Sequence, residues 1–382
     1  MNPPVDIAVV GAGAAGLAAA VSAARAGAET LLLDRRAAVG GTGGFSGLTT
    51  LCGLYDDAGE YLNDGFAREF AELLAERRSP GSLESSQEPQ RAGSETGAPL
   101  RMGRVWVLQY RPERFREVAA ELIATTPKLQ ASWHSPVADV RLEGQRIVQF
   151  NGLGVGAVID CSGTAEVARA LGAECLATDD TTQAAAIIFR LGNVRRELKT
   201  AAEVAQVLLP LARAGFPPLH LQPNLEPNSL TAKFAGSAEQ VGPLLECLRS
   251  NVPGFEHCTT PITEFVPARR AGRMVVGQHV LTGEEVLTGR KFPDAVARCA
   301  WPIEQWGADG VARFRYLPAG THYEIPARSL RAARVTNLFM AGKTISADVD
   351  AIASARVMGC CLATGAAAGN LAASYVGSSR TR

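Results

Sequence analysis

The chain has 382 residues, 47% of them hydrophobic and 20% charged, enough for two to three domains or one large domain with an insertion. Its 38 Lys and Arg balance 38 Asp and Glu, so no net field draws nucleic acid or an anionic membrane. The 4 Trp and 6 Tyr are scattered away from basic clusters, which argues against a single-strand-binding platform.

Residues 5–10 (VDIAVV) form a short apolar run that ends on glycine; Ala14 to Ala26 favours helix, and Thr30 to Leu33 returns to strand. This is a β-α-β unit of the size a parallel crossover needs. Between its first strand and helix lies Gly11-Ala12-Gly13-Ala14-Ala15-Gly16, the G-x-G-x-x-G spacing. Gly11 permits the tight turn, Gly13 lets backbone approach a pyrophosphate, Gly16 lets helix pack on strand, and the helix N-terminus, Ala15 included, offers amide donors. Asp34 ends the second strand, where an acid accepts hydrogen bonds from both adenosine ribose hydroxyls, and Arg35 follows it. A dinucleotide site is the expectation.

The N-terminus lacks a basic segment, and Asp6 and the glycines break its apolar run, so neither a signal peptide nor a membrane span is expected there. No other stretch reads as a membrane span, and the default compartment is the cytoplasm. Residues 79–99 are polar and rich in Pro, Gly and Ser, and should form a mobile loop. Arg111 to Ala124 reads as an amphipathic helix. Val137 to Leu142 and Ile147 to Phe150 read as a hairpin around Glu143-Gly144-Gln145-Arg146, and Val155 to Asp160 as a buried strand ending on Cys161-Ser162-Gly163.

Residues 182–265 change character, with a strand over Ala184 to Leu191, helical stretches and a proline-rich run, and look like an insertion. The final third returns to strand-then-helix, Asn337 to Met340 entering Ala341-Gly342 before a long small-residue helix from about Asp350. The expected organisation is residues 1–181, an insertion over 182–265, and a return over 266–382. The eight cysteines contain no C-x-x-C and no zinc-finger pairing with histidine, so neither a metal site nor a thioredoxin-like pair is expected. Vicinal Cys360 and Cys361 read as small helix residues of a reducing compartment.

Discontinuous segments carry a resemblance: VVGAGAAGLAAA, LLLDRRAAVGGTGG at 31–44, VIDCSGTAEVARALGAE at 158–174, IPARSL at 325–330, and TNLFMAGKTISADVDAIASARVMGCCLATGAAAG at 336–369. They resemble the FAD-dependent oxidoreductases of the glutathione-reductase-like superfold, in the branch of fumarate reductase and succinate dehydrogenase flavoproteins. The resemblance implies an α/β fold: a Rossmann-type FAD-binding domain, a parallel sheet with β-meander and helices, plus an inserted mixed α+β substrate domain. It puts Asp34 on the ribose and Gly40, Gly41, Thr42 and Gly43 along the pyrophosphate. Val137 would meet adenine, Ser162 and Gly163 the pyrophosphate side, and Gly342 with the last helix, Ile352 and Ala353 among Ala351 to Arg356, the flavin. A helix N-terminus there stabilises the charge of reduced flavin, although the same Ala/Gly content suits core packing. Two departures stand out. Lys343 follows the Ala-Gly pair where related flavoproteins often carry Asp, closer to an Arg-bearing subgroup. No histidine for covalent attachment lies in the turn at 40–47, so non-covalent FAD is expected.

No second G-x-G-x-x-G follows a strand, and Cys52 has no C-x-x-x-x-C partner, so a separate NAD(P)H domain and the disulfide reductase class are not expected. Trp301 and Trp306 do not fit the halogenase W-x-W-x-I-P pattern. What is left is hydride or electron exchange between flavin N5 and a small amine, amino acid, hydroxy acid or unsaturated acid. Alternatives are a maturation enzyme acting on a larger substrate and an electron-relay subunit. Arg273, with Arg269 and Arg270 in PARRAGRM, offers an anion clamp, and His322 and Tyr323 offer acid–base groups; arginines in such a loop are usually solvated or ion-paired on the surface. Phe45, Ser46 and Cys52 either line the substrate side or pack.

Overall fold

The computed structural model describes residues 5–75, 99–172, 183–261, 265–270 and 272–380. The segment expected to be a mobile loop lies outside them save for its last residue, as does Cys175.

The expected crossover forms as β1 (Val5–Val10), α1 (Ala14–Arg25) and β2 (Thr30–Leu33). It runs on through α2 (Gly41–Phe45), β3 (Thr50–Cys52), α3 (Phe66–Ala75), β4 (Leu100–Met102), β5 (Val105–Gln109) and α4 (Pro112–Thr125). Then come β6 (Leu129–Ser132), β7 (Val140–Glu143), β8 (Arg146–Phe150), β9 (Leu153–Asp160) and α5 (Glu166–Leu171). The main sheet has the order β6-β2-β1-β9-β8-β7. Its β6, β2, β1 and β9 are parallel, whereas β7, β8 and β9 form an antiparallel meander. β1 is buried along nearly its whole length, as a parallel strand covered on both faces must be. The hairpin strand begins at Val140, so Val137 lies outside it; β9 begins at Leu153 and takes Gly154 and Gly156 into the strand. At Gly156 a Cβ would stand 2.8 Å from the Asp6 carbonyl and 3.0 Å from Val376, so only glycine lets β1 and the last helix close on this strand.

A second core lies within the expected insertion. β10 (Ile187–Leu191), α6 (Ala201–Arg213), β11 (His220–Pro223), β12 (Leu230–Phe234) and α7 (Val241–Asn251) give a three-stranded antiparallel sheet ordered β10-β12-β11. Its own cluster includes Phe189, Phe234, Leu244, Leu248 and Phe255. α6 opens with a full capping box, Thr200 accepting from the Glu203 amide, which satisfies otherwise orphaned donors.

The chain returns through α8 (Gly283–Leu287), β13 (Ala295–Cys299), β14 (Ile303–Trp306), β15 (Ala312–Arg315) and β16 (Tyr323–Pro326). β13 pairs with β16 and β14 with β15, both antiparallel. β17 (Leu338–Met340) then adds to the parallel face of β9. The long last helix is in fact two, α9 (Val349–Ala355) and α10 (Met358–Arg380), bent by 95°. The Asp348 side chain caps α9, and the chain breaks at Arg356 and Val357 before α10 starts. Among the described residues no single helix is long and apolar enough to cross a membrane; only α9 and α10 taken together are.

α10 lies along α1, and its small residues are the reason it can. A Cβ on Gly365 would come within 2.2 Å of the Ala15 carbonyl, and one on Gly369 within 2.3 Å of the Ala19 carbonyl. The two glycines are four apart, hence on one face. Close backbone approach of the two helices sets Gly365 against the first turn of α1, so the start of α10 at Met358 reaches past that turn.

One expectation about cysteines is corrected. Cys360 is not a free helix thiol: it is paired with Cys299 of β13, both residues fully buried, with their Cα atoms 6.1 Å apart. The packing of α10 on β13 joins residues 61 positions apart, which spacing alone did not reveal. Cys361 stays a buried thiol.

Candidate functional site

Two glycine turns meet at the carboxyl ends of the parallel strands. Gly11 has φ 97°, and a Cβ there would stand 2.6 Å from the Cys161 carbonyl; Gly16 leaves even less room, 1.6 Å from the Gly11 carbonyl. Gly41 has φ 51°, and its Cβ would press to 2.7 Å of the Gly13 Cα. The Gly40 amide donates to the Ala12 carbonyl (2.9 Å), tying the turns together. Asp34 adds a second tie: its Oδ2 accepts from the Ala12 amide (2.6 Å) and its Oδ1 from the Arg36 amide (2.8 Å). A carboxylate has about four acceptor positions, so this one can still receive ribose hydroxyls.

The third wall is the turn after β9. Asp160 is fully buried, and burial raises its pKa, opposed by the bonds it accepts. Its Oδ1 accepts from the Ser162 amide (3.0 Å) and hydroxyl (2.7 Å), its Oδ2 from the Val167 amide (3.0 Å). This buried acid holds the Cys161-Ser162-Gly163 turn and the start of α5 in place; its neighbours had drawn attention in the sequence, but it had not.

These walls border a cavity of about 660 Å³. Of the residues expected to hold a cofactor, Gly11, Gly13, Ala15, Asp34, Arg35, Gly41 and Thr42 line it. Gly43, Ser162, Gly163 and Gly342 line it too. Gly16 does not, because its part is to let α1 close on the turn. Val137 is absent from the lining, and Ser135 takes a place there instead. Ile352 and Ala353 are buried in α9 and do not reach the cavity; the break after α9 presents Arg356, Val357 and Met358. The expected single helix would have shown its first turn, whereas the bend shows the second helix's start.

Of the polar side chains expected near the substrate, Arg269 and Arg270 line the cavity, and the others lie elsewhere. Arg273, His322 and Tyr323 do not line the cavity. Tyr323 is fully buried on β16, its hydroxyl bonded to the Ser354 hydroxyl (2.8 Å) and its pKa raised by burial. His322 has its pKa lowered by burial and by Lys291 and Arg298. Phe45 and Ser46 pack: Ser46 is buried and donates to the Thr42 carbonyl (2.6 Å), and Arg36 and Arg116 lie against the Phe45 ring. Cys52 does line the cavity, but burial pushes its thiol up to about 12, so it is not a thiolate nucleophile.

A different cluster stands beside the second core, and its Lys233, Arg270, Trp301, Glu304 and Arg356 line the cavity, with Trp306 and His220 behind them. The Trp306 ring carries the Arg270 guanidinium at 3.9 Å and the Lys233 ammonium at 4.8 Å, with His220 edge-on at 4.7 Å. Glu304 accepts the Trp306 indole N–H (2.6 Å) and the Trp301 indole N–H (3.0 Å). Burial alone would raise the Glu304 pKa; Arg356, Lys233 and the two indoles overcome this and hold it below its ordinary value. Arg356 donates to the Glu304 carbonyl (2.9 Å) and to Gln183 (3.2 Å). Burial lowers Lys233, as do Arg270 and Arg356, and it pulls Arg270 down to about 10. Of these groups the sequence had singled out Arg270 and, in passing, Arg356. Lys233 carried one usable signal, a charge in a mostly apolar strand (LTAKF), whereas Glu304 stands beside Gln305 in IEQW and carried none. Among the described residues no group of three or more His, Cys, Asp or Glu could hold a metal ion.

A parallel sheet, a glycine cradle at its carboxyl edge and an acid closing β2 define a dinucleotide-binding oxidoreductase fold. A family model described as FAD dependent oxidoreductase matches residues 6–213 and 216–381. The chain belongs to this family, and FAD is its cofactor. Among solved structures it is similar to a geranylgeranyl bacteriochlorophyll reductase-like protein from Thermoplasma acidophilum: 15% identity, TM-score 0.50, covering 98% of this chain and 79% of that one. It is also similar to a flavoprotein/dehydrogenase from Cytophaga hutchinsonii (12%, 0.47, 98% and 79%) and to Aquifex aeolicus GidA (14%, 0.48, 98% and 64%). The first likeness supports the fold. No curated protein matches the chain. The cavity fits the cofactor on its own terms: the cradle is narrow where side chains would fill it, and amides and cations supply the donors a diphosphate needs.

Proposed function

We propose that the protein exchanges a hydride, or its electrons, between FAD and a small organic anion, a hydroxy acid or an unsaturated acid rather than a simple amine. The observation that carries this reading is the charge of the cavity wall, eight Lys or Arg side chains against three carboxylates. One carboxylate, Asp34, is spent on the glycine turn, and another, Glu166, pairs with Arg35 (3.3 Å). The third, Glu304, sits among Lys233, Arg270 and Arg356 without matching their charge.

Bound FAD supplies the two-electron exchange at its N5. In this reading the glycine cradle and Asp34 hold the adenosine diphosphate half. Gly342 and the start of α10 border the flavin half. Residues 182–265 act as the substrate domain, with residues 1–181 and 266–382 as the cofactor domain. Arg270, its guanidinium 3.9 Å from the Trp306 ring centroid, offers its fork of donors to a carboxylate. Lys233, its pKa lowered by burial, is the amine beside Arg270 that exchanges a proton with the substrate. The apolar Ile188, Val266 and Pro267 keep water from that end. The kinship with fumarate reductase and succinate dehydrogenase flavoproteins is part of the proposal; the shared motifs favour it and Lys343 departs from it. Residence in the cytoplasm and non-covalent attachment belong to it as well.

The test is anaerobic bleaching of the flavin absorption of the purified protein by a panel of hydroxy acids, amino acids and amines, with unsaturated acids offered to the reduced form. Acids should change the flavin's redox state and simple amines should not. Bleaching by amines alone, or only by a protein partner's redox centre, contradicts the reading.

A further inference from the structure

The turn after β17 sets a lysine amine against the turn after β9, and among the described residues no acid pairs with it. Thr344 donates to the Asp160 carbonyl (2.6 Å) and the Ala341 carbonyl (2.9 Å). The Gly342 amide donates to Thr364 of α10 (3.2 Å), so the turn is fixed from both sides. A Cβ on Gly342 would come within 2.8 Å of the Ala15 Cβ, which measures how closely this turn overlies the start of α1. Lys343, next in the chain, runs along the Ser162-Gly163 turn: a Cβ on Gly163 would lie 2.9 Å from its Cε and 3.3 Å from its Nζ. The amine donates to the Arg269 carbonyl (3.1 Å), and among the described residues no carboxylate forms an ion pair with it.

The charged and titratable groups facing Lys343 are Arg35 after β2, Arg269 in the segment before α8, Arg356 between α9 and α10, and Cys361 of α10. Burial is the largest influence on the amine; the Cys361 thiol raises its pKa, the three guanidiniums lower it, and the outcome is about 8. Of these cations Arg35 is answered by a carboxylate, Glu166 (3.3 Å). The lysine is therefore a cation lining the cavity with a neutral hydrogen-bond partner and no counter-anion. It lies where the free amides of α1 face the cavity, so a doubly charged diphosphate between Gly13 and Gly163 would meet both.

We propose that Lys343 is the counter-cation of the FAD diphosphate and that cofactor binding is coupled to proton uptake at its amine. The inference rests on the reading of this cavity as the FAD site. The only covalent change is an N–H bond, formed with a proton taken from solvent. An anion prefers the charged amine, so binding raises the pKa of Lys343 above its value in the free protein. Affinity is then highest below that free value and falls as pH rises through it, until the bound value is passed.

The experiment measures the FAD dissociation constant of the full-length protein by flavin fluorescence on dilution of the holoprotein, from about pH 7 to about pH 9.5. Wild type should lose affinity by up to about tenfold per pH unit above about pH 8. Lys343→Arg, which keeps its charge throughout, should bind with a flat profile. Lys343→Met should bind about 10-fold to 100-fold more weakly near pH 7, also with a flat profile. A wild-type profile without slope, or Lys343→Met retaining both affinity and slope, overturns the proposal. If Lys343→Met does not fold, judged by its thermal melt, wild type and Lys343→Arg still decide. Protein that binds no FAD at any pH overturns the reading of the cavity as well, whereas FAD binding without pH dependence overturns only the role of Lys343.

Discussion

The two ends of the cavity are built by different means. At the dinucleotide end the chain uses backbone: glycines at 11, 13, 16 and 41, amides at the start of α1, and one carboxylate that steadies the turn. At the other end it uses side chains from separate elements, Lys233 on β12, Glu304 and Trp306 on β14, and Arg356 between two helices. A backbone site tolerates few substitutions, because at Gly11, Gly16 and Gly41 the space of the missing Cβ is already taken. A side-chain site can be altered residue by residue while the fold stays the same, which is how one cofactor cradle serves different substrates.

The largest expected effect follows at the backbone end. Gly16→Ala puts a methyl 1.6 Å from the Gly11 carbonyl, a clash that only movement of α1 or its turn relieves. It should cost about 3 kcal/mol or more of stability and strip the cofactor. Thermal unfolding and the ratio of FAD to purified protein check this. A variant that melts like wild type with full FAD would break the contrast between the two ends.

Arg270→Met should do the opposite. With FAD content unchanged, kcat/KM for the acid substrate should fall about 100-fold, through loss of a charge-assisted contact. Steady-state kinetics with flavin quantified in the same samples separates the two effects. Equal loss of flavin would mean that the ends are not independent.

The smallest effect is one of pH. Glu304 has its pKa held below the ordinary value, so its charged form adds stability that is complete above the unfolded-state value. That contribution is lost as pH falls through the lowered value. Urea denaturation at neutral pH and below about pH 4 should therefore show a larger drop for wild type than for Glu304→Gln. Identical drops would remove Glu304 from the electrostatics of that end.

The same contrast explains what was legible in the sequence. Gly11, Gly13, Gly16 and Asp34 stand within one crossover, so their spacing encodes their geometry, and β1, α1 and β2 form where the pattern placed them. Lys233, Glu304 and Trp306 meet only because β12 and β14 are brought together by the tertiary fold, and no local spacing records that. The bend between α9 and α10 was hidden for a related reason: Ala, Ser and Gly continue through it, and the Asp348 cap and the packing of α10 on α1 decide where each helix runs. Arg273, His322 and Tyr323 drew attention by lying near recognisable motifs, but adjacency in sequence did not carry them to the cavity. The Cys299–Cys360 pairing was illegible for want of any spacing rule across 61 residues.

The most direct measurement is a crystal structure of the full-length protein with FAD. The diphosphate should lie against the touching Gly13 and Gly41 turns, on the side that faces Gly163, with the adenosine ribose against Asp34 and the isoalloxazine toward Arg356, Val357 and Met358. FAD bound elsewhere, or with its diphosphate away from both glycine turns, would contradict the account.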